Sequence, residues 1–269
     1  MFSALLLSLR EGLEAALIIG IVLAALKKIN RADLRPWAWG GVLAAALLSL
    51  AVSFLLDCLG LSFQGKAEQI FEGLAMLSAA ALLTWMILWM QRHSASLKTE
   101  LEVQTAQAAS GRDKAAIFSL IFFAVFREGL ELSLFLLAAR LASSGNDITF
   151  GALFGLALAA VLGFLIFSFS NRLSLQRFFQ MTNILLILFA AGLVGLAVHE
   201  LNEAGWIPEL IDHVWDLSPV LSEESTLGGI LKALFGYQSN PSLAAVLGYF
   251  LYLFTLGTKV LFLQKSAKK

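Results

Sequence analysis

The sequence predicts an all-α, polytopic membrane protein with seven transmembrane helices, arranged as a 3+3 inverted repeat plus one helix. Three observations lead to this fold class. Of the 269 residues, 59% are hydrophobic and only 14% are charged, whereas soluble domains carry about 25% charged residues. Seven long apolar segments follow one another along the chain, and the five-residue motif REGLE occurs in two of them.

The apolar segments lie near residues 3–26, 38–57, 67–91, 115–139, 149–170, 177–198 and 242–264. Each is long enough to cross about 30 Å of hydrocarbon as a helix. A helix is expected because the backbone groups of a segment inside a bilayer must bond to one another. All four prolines lie outside these segments, where they do not interrupt a helix. We do not expect the first segment to be a cleaved signal peptide, since it is long and carries charged residues.

Basic residues predict the orientation of the helices. The first, third and fifth connections and the C-terminal tail are rich in lysine and arginine, whereas the alternate side has only Lys66, Arg140 and Lys232. Basic connections stay on the cytoplasmic side of a membrane. We therefore expect a multi-pass protein of the cell (inner) membrane, surrounded by lipid, with its N-terminus outside and its C-terminus in the cytoplasm.

Charge and cysteine content exclude several classes of function. The formal net charge is zero, which leaves no basic surface for nucleic acid. Cys58 is the only cysteine, so neither an intrachain disulfide nor a cysteine metal cluster is expected. The acidic connection 199–241 is predicted to lie outside, where it would concentrate cations. Within it, WIPELIDHVW and TLGGILKALFGY are predicted to form short amphipathic helices at the membrane interface.

The two REGLE motifs, at 10–14 and 127–131, are 117 residues apart. Three segments separate the start of one from the start of the next, so the two helices that carry them run in opposite directions. Such an inverted repeat is typical of transporters that bind their substrate near the midplane. We expect a single transmembrane domain over 1–269. Its parts are repeat one (about 1–92), repeat two (about 114–200), the outer acidic loop (199–241) and the seventh helix (242–264).

Each motif places charged side chains at the centre of an apolar helix. It begins about ten residues into its segment, near mid-membrane, where a charge costs roughly 2.5–3.5 kcal/mol. Two glutamates three residues apart share a helix face in each motif: Glu11 and Glu14, and Glu128 and Glu131. The charge partners expected to support them, each four residues before the second glutamate, are Arg10 and Arg127. The glycine between them lets a neighbouring helix approach closely.

Together the motifs supply four carboxylates and two guanidinium groups, which predicts a binding site for a multivalent cation. Carboxylates suit hard ions, so iron, manganese, magnesium and calcium all fit. Soft ions are disfavoured, because Met86 and Met90 lie toward the inner end of their segment and the three histidines lie at segment ends or in loops. The alternative is that arginine–glutamate pairs only hold the bundle together, but such a pair needs one acid and each motif has two.

Further acids lie near the outer ends of the segments. Glu72, about one and a half turns into the third segment, is predicted to assist metal binding. The candidates for an entrance to the central site are Asp57, Glu68, Glu200 and Glu203. Contact with lipid headgroups or solvent is the other account of these four.

With REGLE at 10–14 and 127–131 in a seven-segment chain, the sequence resembles the oxidase-dependent iron permease family of fungi and bacteria. The similarity extends over nearly the whole chain, including HVWDLSPVLSEESTLGGILKALFGY. It implies a permease domain that imports iron, as Fe³⁺ after oxidation by a partner oxidase, with ferrous import left open. The expected partner is a separate extracytoplasmic oxidase or an iron-binding protein. It also implies that the glutamates of both motifs are required for iron uptake. Iron would be the transported substrate, and no cofactor is expected.

Other functions remain open from the sequence. A lead-uptake branch shares the motif, so another divalent metal such as lead is an alternative cargo. An intramembrane carboxylate-bridged metal oxidase is a second alternative, although di-iron bundles use an ExxH element that the mid-membrane sequence lacks. A proton-coupled carrier of an organic cation is a third. The resemblance favours transport and predicts that the chain is not an enzyme.

Overall fold

The computed structural model describes residues 1–60, 64–93, 97–110, 114–142, 148–169, 175–208, 211, 213–223 and 225–266. These residues form α-helices and one short 3₁₀ turn, Ala32–Leu34, with no strand among them. The helices are α1 (Phe2–Lys28), α2 (Arg35–Gly60), α3 (Lys66–His93), α4 (Leu97–Ser110), α5 (Lys114–Leu141), α6 (Ile148–Phe169), α7 (Leu175–Glu203), α8 (Thr226–Phe235) and α9 (Leu243–Ser266).

The seven apolar segments of the sequence all form long helices. Five of these helices, α2, α3, α6, α7 and α9, contain stretches long and apolar enough to cross a membrane. The other two, α1 and α5, are 27 and 28 residues long and carry the charged REGLE motifs. Large apolar side chains such as Leu47, Phe54, Phe164 and Phe254 are exposed on the outside of the bundle, as expected of surfaces that face lipid. The chain is a multi-pass membrane protein.

Helix α4 was not predicted, because its segment was interpreted as part of a basic connection. Leu101, Thr105 and Ala109 are buried, and they lie four residues apart on one helix face. That face packs on α1 and α5. The four-residue spacing of small and apolar residues was the signal that the sequence analysis missed.

The connection between α7 and α9 contains one of the two amphipathic helices expected there. TLGGILKALF forms α8, which begins where the Ser225 hydroxyl accepts a hydrogen bond from the amide of Gly228 and ends at Gly236, whose φ is +65°. The prediction of a helix at WIPELIDHVW was wrong for its described residues. They run beside the segment before α9, and the amide of Val214 donates to the carbonyl of Pro241. Pro208 cannot donate a helical hydrogen bond, which favours this non-helical course.

Close glycine contacts show how the long helices are oriented. The most extensive contacts join α1 to α6, α2 to α5, and α3 to α7. Gly151 packs on Met1 and Gly163 on Ala16, so α1 and α6 run in the same direction.

The same reasoning orients the other two pairs. Gly41 packs on Phe118 and Gly129 packs on Ser49, so α2 and α5 also run in the same direction. Gln69 bonds to Glu203 near the start of α3 and the end of α7, while Gly73 packs on Leu201, so α3 and α7 are antiparallel. Helices α1 and α5 contact each other at the centre of the bundle, which brings the two REGLE motifs together.

Candidate metal centre

The REGLE motifs lie on the buried faces of α1 and α5. Arg10 and Glu11 are at most 1% exposed, and Glu14, Glu128 and Glu131 are between 6% and 9% exposed. Charged groups at such depth are costly unless each is paired or binds a ligand. The motifs therefore form one polar centre inside an apolar bundle.

The motif glycines bring in a second pair of helices. A Cβ on Gly12 would lie 2.7 Å from the Cβ of Ala159 in α6, and a Cβ on Gly129 would overlap Ser49 in α2. Each motif thus has a close neighbour on a further helix, α6 for the first motif and α2 for the second. Small residues allow this approach without a side chain between the helices.

Three carboxylates of the two motifs converge. Glu11, Glu128 and Glu131 each offer one oxygen, and these three oxygens lie within 4.8 Å of one another. Oxygen ligands of hard cations lie about 2.0–2.6 Å from the ion, so two ligands of one ion are up to about 5 Å apart. The group has the spacing of a cation site and draws on both helices.

The same carboxylates have unused acceptors. The Oε2 atoms of Glu11, Glu128 and Glu131 are buried without a hydrogen-bond partner among the described residues. A buried acceptor left unbonded costs about 1–3 kcal/mol, and more when it is charged. Within the described part of the chain, Glu14 Oε1 is buried without a hydrogen-bond partner as well, so all four motif carboxylates keep an acceptor that a bound cation could compensate.

The two arginines play unequal parts. Arg10 is fully buried, donates from Nη1 to Glu11 Oε1 at 2.8 Å, and places Nη2 3.0 Å from Glu14 Oε1. Arg127 donates from Nε to Glu131 Oε1 at 2.9 Å, yet its side chain is 39% exposed. Both expected pairs with the second glutamate are present, and Arg10 holds the first glutamate as well.

Glu14 stands slightly apart from the three converging carboxylates. It pairs with Arg10 and is close enough to Glu131 and Arg127 to interact with both electrostatically. Since Arg10 also holds Glu11, the guanidinium links Glu14 to the group. The four glutamates and two arginines carry a net charge of about −2 when all are ionised.

Side chains of α3 also contact the two arginines, and the sequence did not predict these contacts. Met86 accepts a hydrogen bond from Arg10 Nη1, and Trp85 and Trp89 lie under the Arg127 guanidinium at 5.5 and 5.0 Å. Met86 lies in the last third of α3, as its position in the segment predicts, but its contact with a motif arginine was not predicted. Its thioether bonds to a guanidinium, so it positions Arg10.

Comparison with known proteins identifies the family. The model of the iron permease FTR1 family matches residues 1–265. The ferrous iron permease EfeU of Escherichia coli O6:K15:H31 (strain 536 / UPEC) is 39% identical over 255 residues, which cover 94% of this chain and 92% of that protein. The ferrous iron permease EfeU of Yersinia pestis is also 39% identical, with 94% of this chain and 90% of that protein covered. The chain belongs to the iron permease FTR1 family.

Membership of the FTR1 family confirms the resemblance seen in the sequence. It gives the chain a metal ion as its substrate. The relatives are named as permeases, which agrees with the prediction that the chain is not an enzyme. No solved structure matches this chain.

The acids of this FTR1-family chain that the sequence predicts at the outer side fall into two groups. One group lies where the start of α3 meets the end of α7, and its members are Glu68, Glu72, Glu200 and Glu203. Gln69 Nε2 donates to Glu203 Oε2 at 2.8 Å, and His199 Nε2 lies 3.3 Å from Glu203 Oε1. Glu72 therefore belongs with the acids at the helix ends.

The distance of Glu72 from the centre follows from helix geometry. Met86, which contacts Arg10, is 14 residues after Glu72 on the same helix. This separation corresponds to about 21 Å along the α3 axis. Glu72 is not one of the converging carboxylates.

Asp57 is separate from that outer group. Its Oδ2 pairs with Nη1 of Arg140 at 2.9 Å, which joins the ends of α2 and α5. Arg140 was counted in the sequence analysis only as a basic residue on the outer side. The pair lies on the α2–α5 side of the bundle, whereas Glu72 and Glu200 lie on the α3–α7 side.

Proposed function

We propose that this chain imports iron across the cytoplasmic membrane through a site shared by its two REGLE motifs. The observation that carries the proposal is the convergence of Glu11, Glu128 and Glu131, each with a buried and unbonded oxygen. Glu14 belongs to the same site through Arg10. Groups that only held the bundle together would not leave three acceptors unused.

The donor set supports ferric iron as the first candidate for the cargo. Carboxylate oxygens are hard ligands and suit the harder ion, so the cargo in our proposal is Fe³⁺, supplied after oxidation by a separate extracytoplasmic oxidase or by an iron-binding protein. Ferrous iron is the second candidate, because both relatives are named ferrous iron permeases.

An inverted repeat fits the packing of the helices. Matching the first three long helices with the next three pairs α1 with α5, α2 with α6 and α3 with α7. Under this match the contact of α1 with α6 is equivalent to the contact of α5 with α2. Met1 with Gly151 and Phe118 with Gly41 form equivalent contacts. Each residue of α1 matches the residue of α5 that is 117 positions later, and each residue of α2 matches the residue of α6 that is 110 positions later.

The motif glycines repeat these offsets. Gly12 packs on Ala159 and Gly129 packs on Ser49, again 117 and 110 residues apart. This supports a two-fold arrangement of residues about 1–92 and 114–200 around the carboxylates, with α9 as the seventh spanning helix. Rocking of one repeat against the other would expose the site to each side in turn.

The orientation in this proposal has the N-terminus outside and the C-terminus in the cytoplasm, as the basic residues predict. In that orientation Asp57 and the acids Glu68, Glu72, Glu200 and Glu203 lie at the outer side, where they would attract cations. A reporter fused after Lys269 tests it. Cytoplasmic activity is expected, and a reporter active outside the cell would reverse the orientation.

Transport is tested with the purified chain in proteoliposomes. Radiolabelled iron is presented as ferric citrate or as ferrous iron kept reduced, and uptake is compared for the parent chain and Glu128→Gln. The matched control is Glu100→Gln, which changes an exposed glutamate of α4. Uptake of ferric iron by the parent and the control but not by Glu128→Gln is expected. Uptake unaffected by Glu128→Gln would refute the shared site, and uptake of ferrous iron alone would change the cargo.

A further inference from the structure

A cavity of about 460 Å³ leads away from the converging carboxylates. It lies between α2, α5 and α6 and reaches Glu11 and Glu128 at its inner end. At its other end are the last turns of α2 and α5 and the first turn of α6, with Asp57, Arg140 and Thr149. In the proposed orientation this end faces the outside.

The cavity carries hydroxyl groups along its length. Ser49, Ser53 and Ser133 all line it. Ser133 donates to the carbonyl of Gly129 at 2.8 Å, whereas the Ser49 hydroxyl is buried without a hydrogen-bond partner among the described residues. Most other lining residues are apolar, such as Leu50, Leu132 and Leu136, so the few polar groups of the cavity are the ones that can contact water or a hydrated cation.

The equivalent positions in the other half of the repeat are apolar. The offsets of 117 and 110 match Ser133 with Ala16, Arg140 with Leu23, Ser49 with Ala159, and Ser53 with Gly163. Packing of the bundle is thus achieved on one side without any of these polar groups. Their presence on the outward side alone calls for a role other than packing.

An ion pair crosses the outer mouth of the cavity. Asp57 Oδ2 and Arg140 Nη1 are 2.9 Å apart, and the two side chains are 30% and 48% exposed. While the pair is formed, the carboxylate is occupied and a guanidinium stands in the path of a cation. When it opens, the carboxylate becomes free to attract the cation.

We infer that this cavity is the outward route by which the cation reaches Glu11 and Glu128, and that the Asp57–Arg140 pair closes its mouth. The inference rests on the proposed function and deepens it. The hydroxyls of Ser53 and Ser133 are the polar groups between the mouth and the carboxylates on this route, and the ion pair sets how often the route is open. A pair that served only to join α2 to α5 would have no effect on access to the cavity.

Thiol labelling tests the route independently of transport. Cys58, the only cysteine, is first replaced by serine, and Ser53→Cys and Ser133→Cys are then introduced separately. A membrane-impermeant methanethiosulfonate is added from outside to cells or to oriented vesicles. The matched control is Phe54→Cys, the next residue of α2, whose side chain is 71% exposed on the bundle surface. A second control is Ala16→Cys, at the inner counterpart of Ser133.

The route predicts that Ser53→Cys and Ser133→Cys react at least about tenfold faster than both controls, because only a hydrated thiol ionises and reacts. Ferric citrate should slow both reactions. Labelling at the rate of the Phe54→Cys control would overturn the route. If labelling follows the expected pattern but no variant, nor the parent, carries iron into proteoliposomes, the proposed function fails and the water-filled route remains.

The Asp57–Arg140 pair, which is the gate of this route, is tested in the Ser133→Cys protein. Asp57→Asn or Arg140→Gln should each speed labelling by about fivefold, the effect of losing one partly exposed ion pair. The double variant should match the single ones, and the charge exchange Asp57→Arg with Arg140→Asp should restore the slow rate. Unchanged labelling in the single variants would overturn the gate. If labelling stays fast in the charge-exchange variant, the gate is also overturned, because the substitutions would then have loosened the packing of the helices in general.

Discussion

Gly129 lies so close to Ser49 that a methyl group on Gly129 would overlap the serine hydroxyl and come within 2.6 Å of its Cβ. The contact joins α5 to α2 directly beside Glu128. Because neither backbone has room to move away in a packed bundle, this one contact helps to fix where the carboxylate of Glu128 lies.

Gly129→Ala should therefore destabilise the protein by about 1–3 kcal/mol through overpacking, and it should reduce iron uptake by displacing Glu128. Thermal unfolding in detergent and uptake in proteoliposomes measure the two effects. Adding Ser49→Gly removes the clashing atoms and should restore both. The control is Gly257→Ala, where an added Cβ meets no atom within 4 Å. Equal losses in Gly129→Ala and Gly257→Ala would show that the close contact is unimportant.

Glu11 and Glu131 come from different motifs, yet each offers an oxygen to the same group. Glu11→Gln and Glu131→Gln should each weaken iron binding at least about tenfold. Because the two side chains serve one ion, the double variant should bind little worse than either single variant, with a coupling energy of about 0.5–3 kcal/mol. Calorimetric titration measures the affinities. Fully additive losses would indicate two independent sites.

The sequence predicted the long helices and the chemistry of the centre, and particular residues show why it could go no further. Apolar length locates a helix, and two carboxylates per motif indicate a cation, because these signals lie within one segment. The pairing of Gly12 with Ala159 was not predictable, since it depends on the fit of two helices that are far apart in sequence.

Met86 and Asp57 illustrate the same limit. A methionine in an apolar segment looks like any buried residue until its contact with Arg10 is known. Asp57 was grouped with the other outer acids because it lies at the same end of its helix, but its ion pair with Arg140 puts it on the other side of the bundle. The depth of a residue in the membrane can be predicted from its position in the segment. The side of the bundle on which it lies can be known only from how the helices pack.

The arginines should differ in their tolerance of lysine. Arg10 is fully buried and serves Glu11, Glu14 and Met86 at once, so Arg10→Lys loses donors that a single ammonium cannot replace. We expect a loss of about 3–5 kcal/mol, as when a buried ion pair is broken. Arg127→Lys, at a 39% exposed side chain, should cost about 1 kcal/mol or less. Unfolding in detergent compares them, and equal losses would contradict the unequal roles.

Glu72 should influence delivery of iron rather than binding at the centre. It lies about 21 Å along α3 from the contact between Met86 and Arg10, among acids at the end of the bundle where α3 begins and α7 ends. Glu72→Gln should therefore raise the iron concentration for half-maximal uptake and leave substantial maximal flux. Uptake measured over a range of iron concentrations separates the two parameters. Complete loss of flux at saturating iron would place Glu72 in the main site.

Glu223 holds the connection between α7 and α9 together and should make its stability sensitive to acid. Its carboxylate accepts hydrogen bonds from Lys232 Nζ at 2.8 Å, and from the amide and hydroxyl of Ser239 at 2.8 and 3.0 Å. Burial alone would raise the pKa of Glu223, but these bonds outweigh it and hold the pKa below its ordinary value of 4.5. The folded segment thus binds its proton more weakly than the unfolded segment does.

A lowered pKa gives a stabilisation that is complete above the ordinary value and lost as the pH falls through the folded value. Hydrogen exchange of residues 225–239 should therefore be slow and constant above about pH 5, after correction for the intrinsic rate, and should accelerate as the pH falls below about 4.5. Glu223→Gln should exchange faster at neutral pH and lose this acid dependence. The control Glu100→Gln, in α4, should retain both. Identical exchange profiles for Glu223→Gln and the parent would mean that the carboxylate does not hold the segment, and that α8 is kept in place by the packing of Gly236 on Gly192.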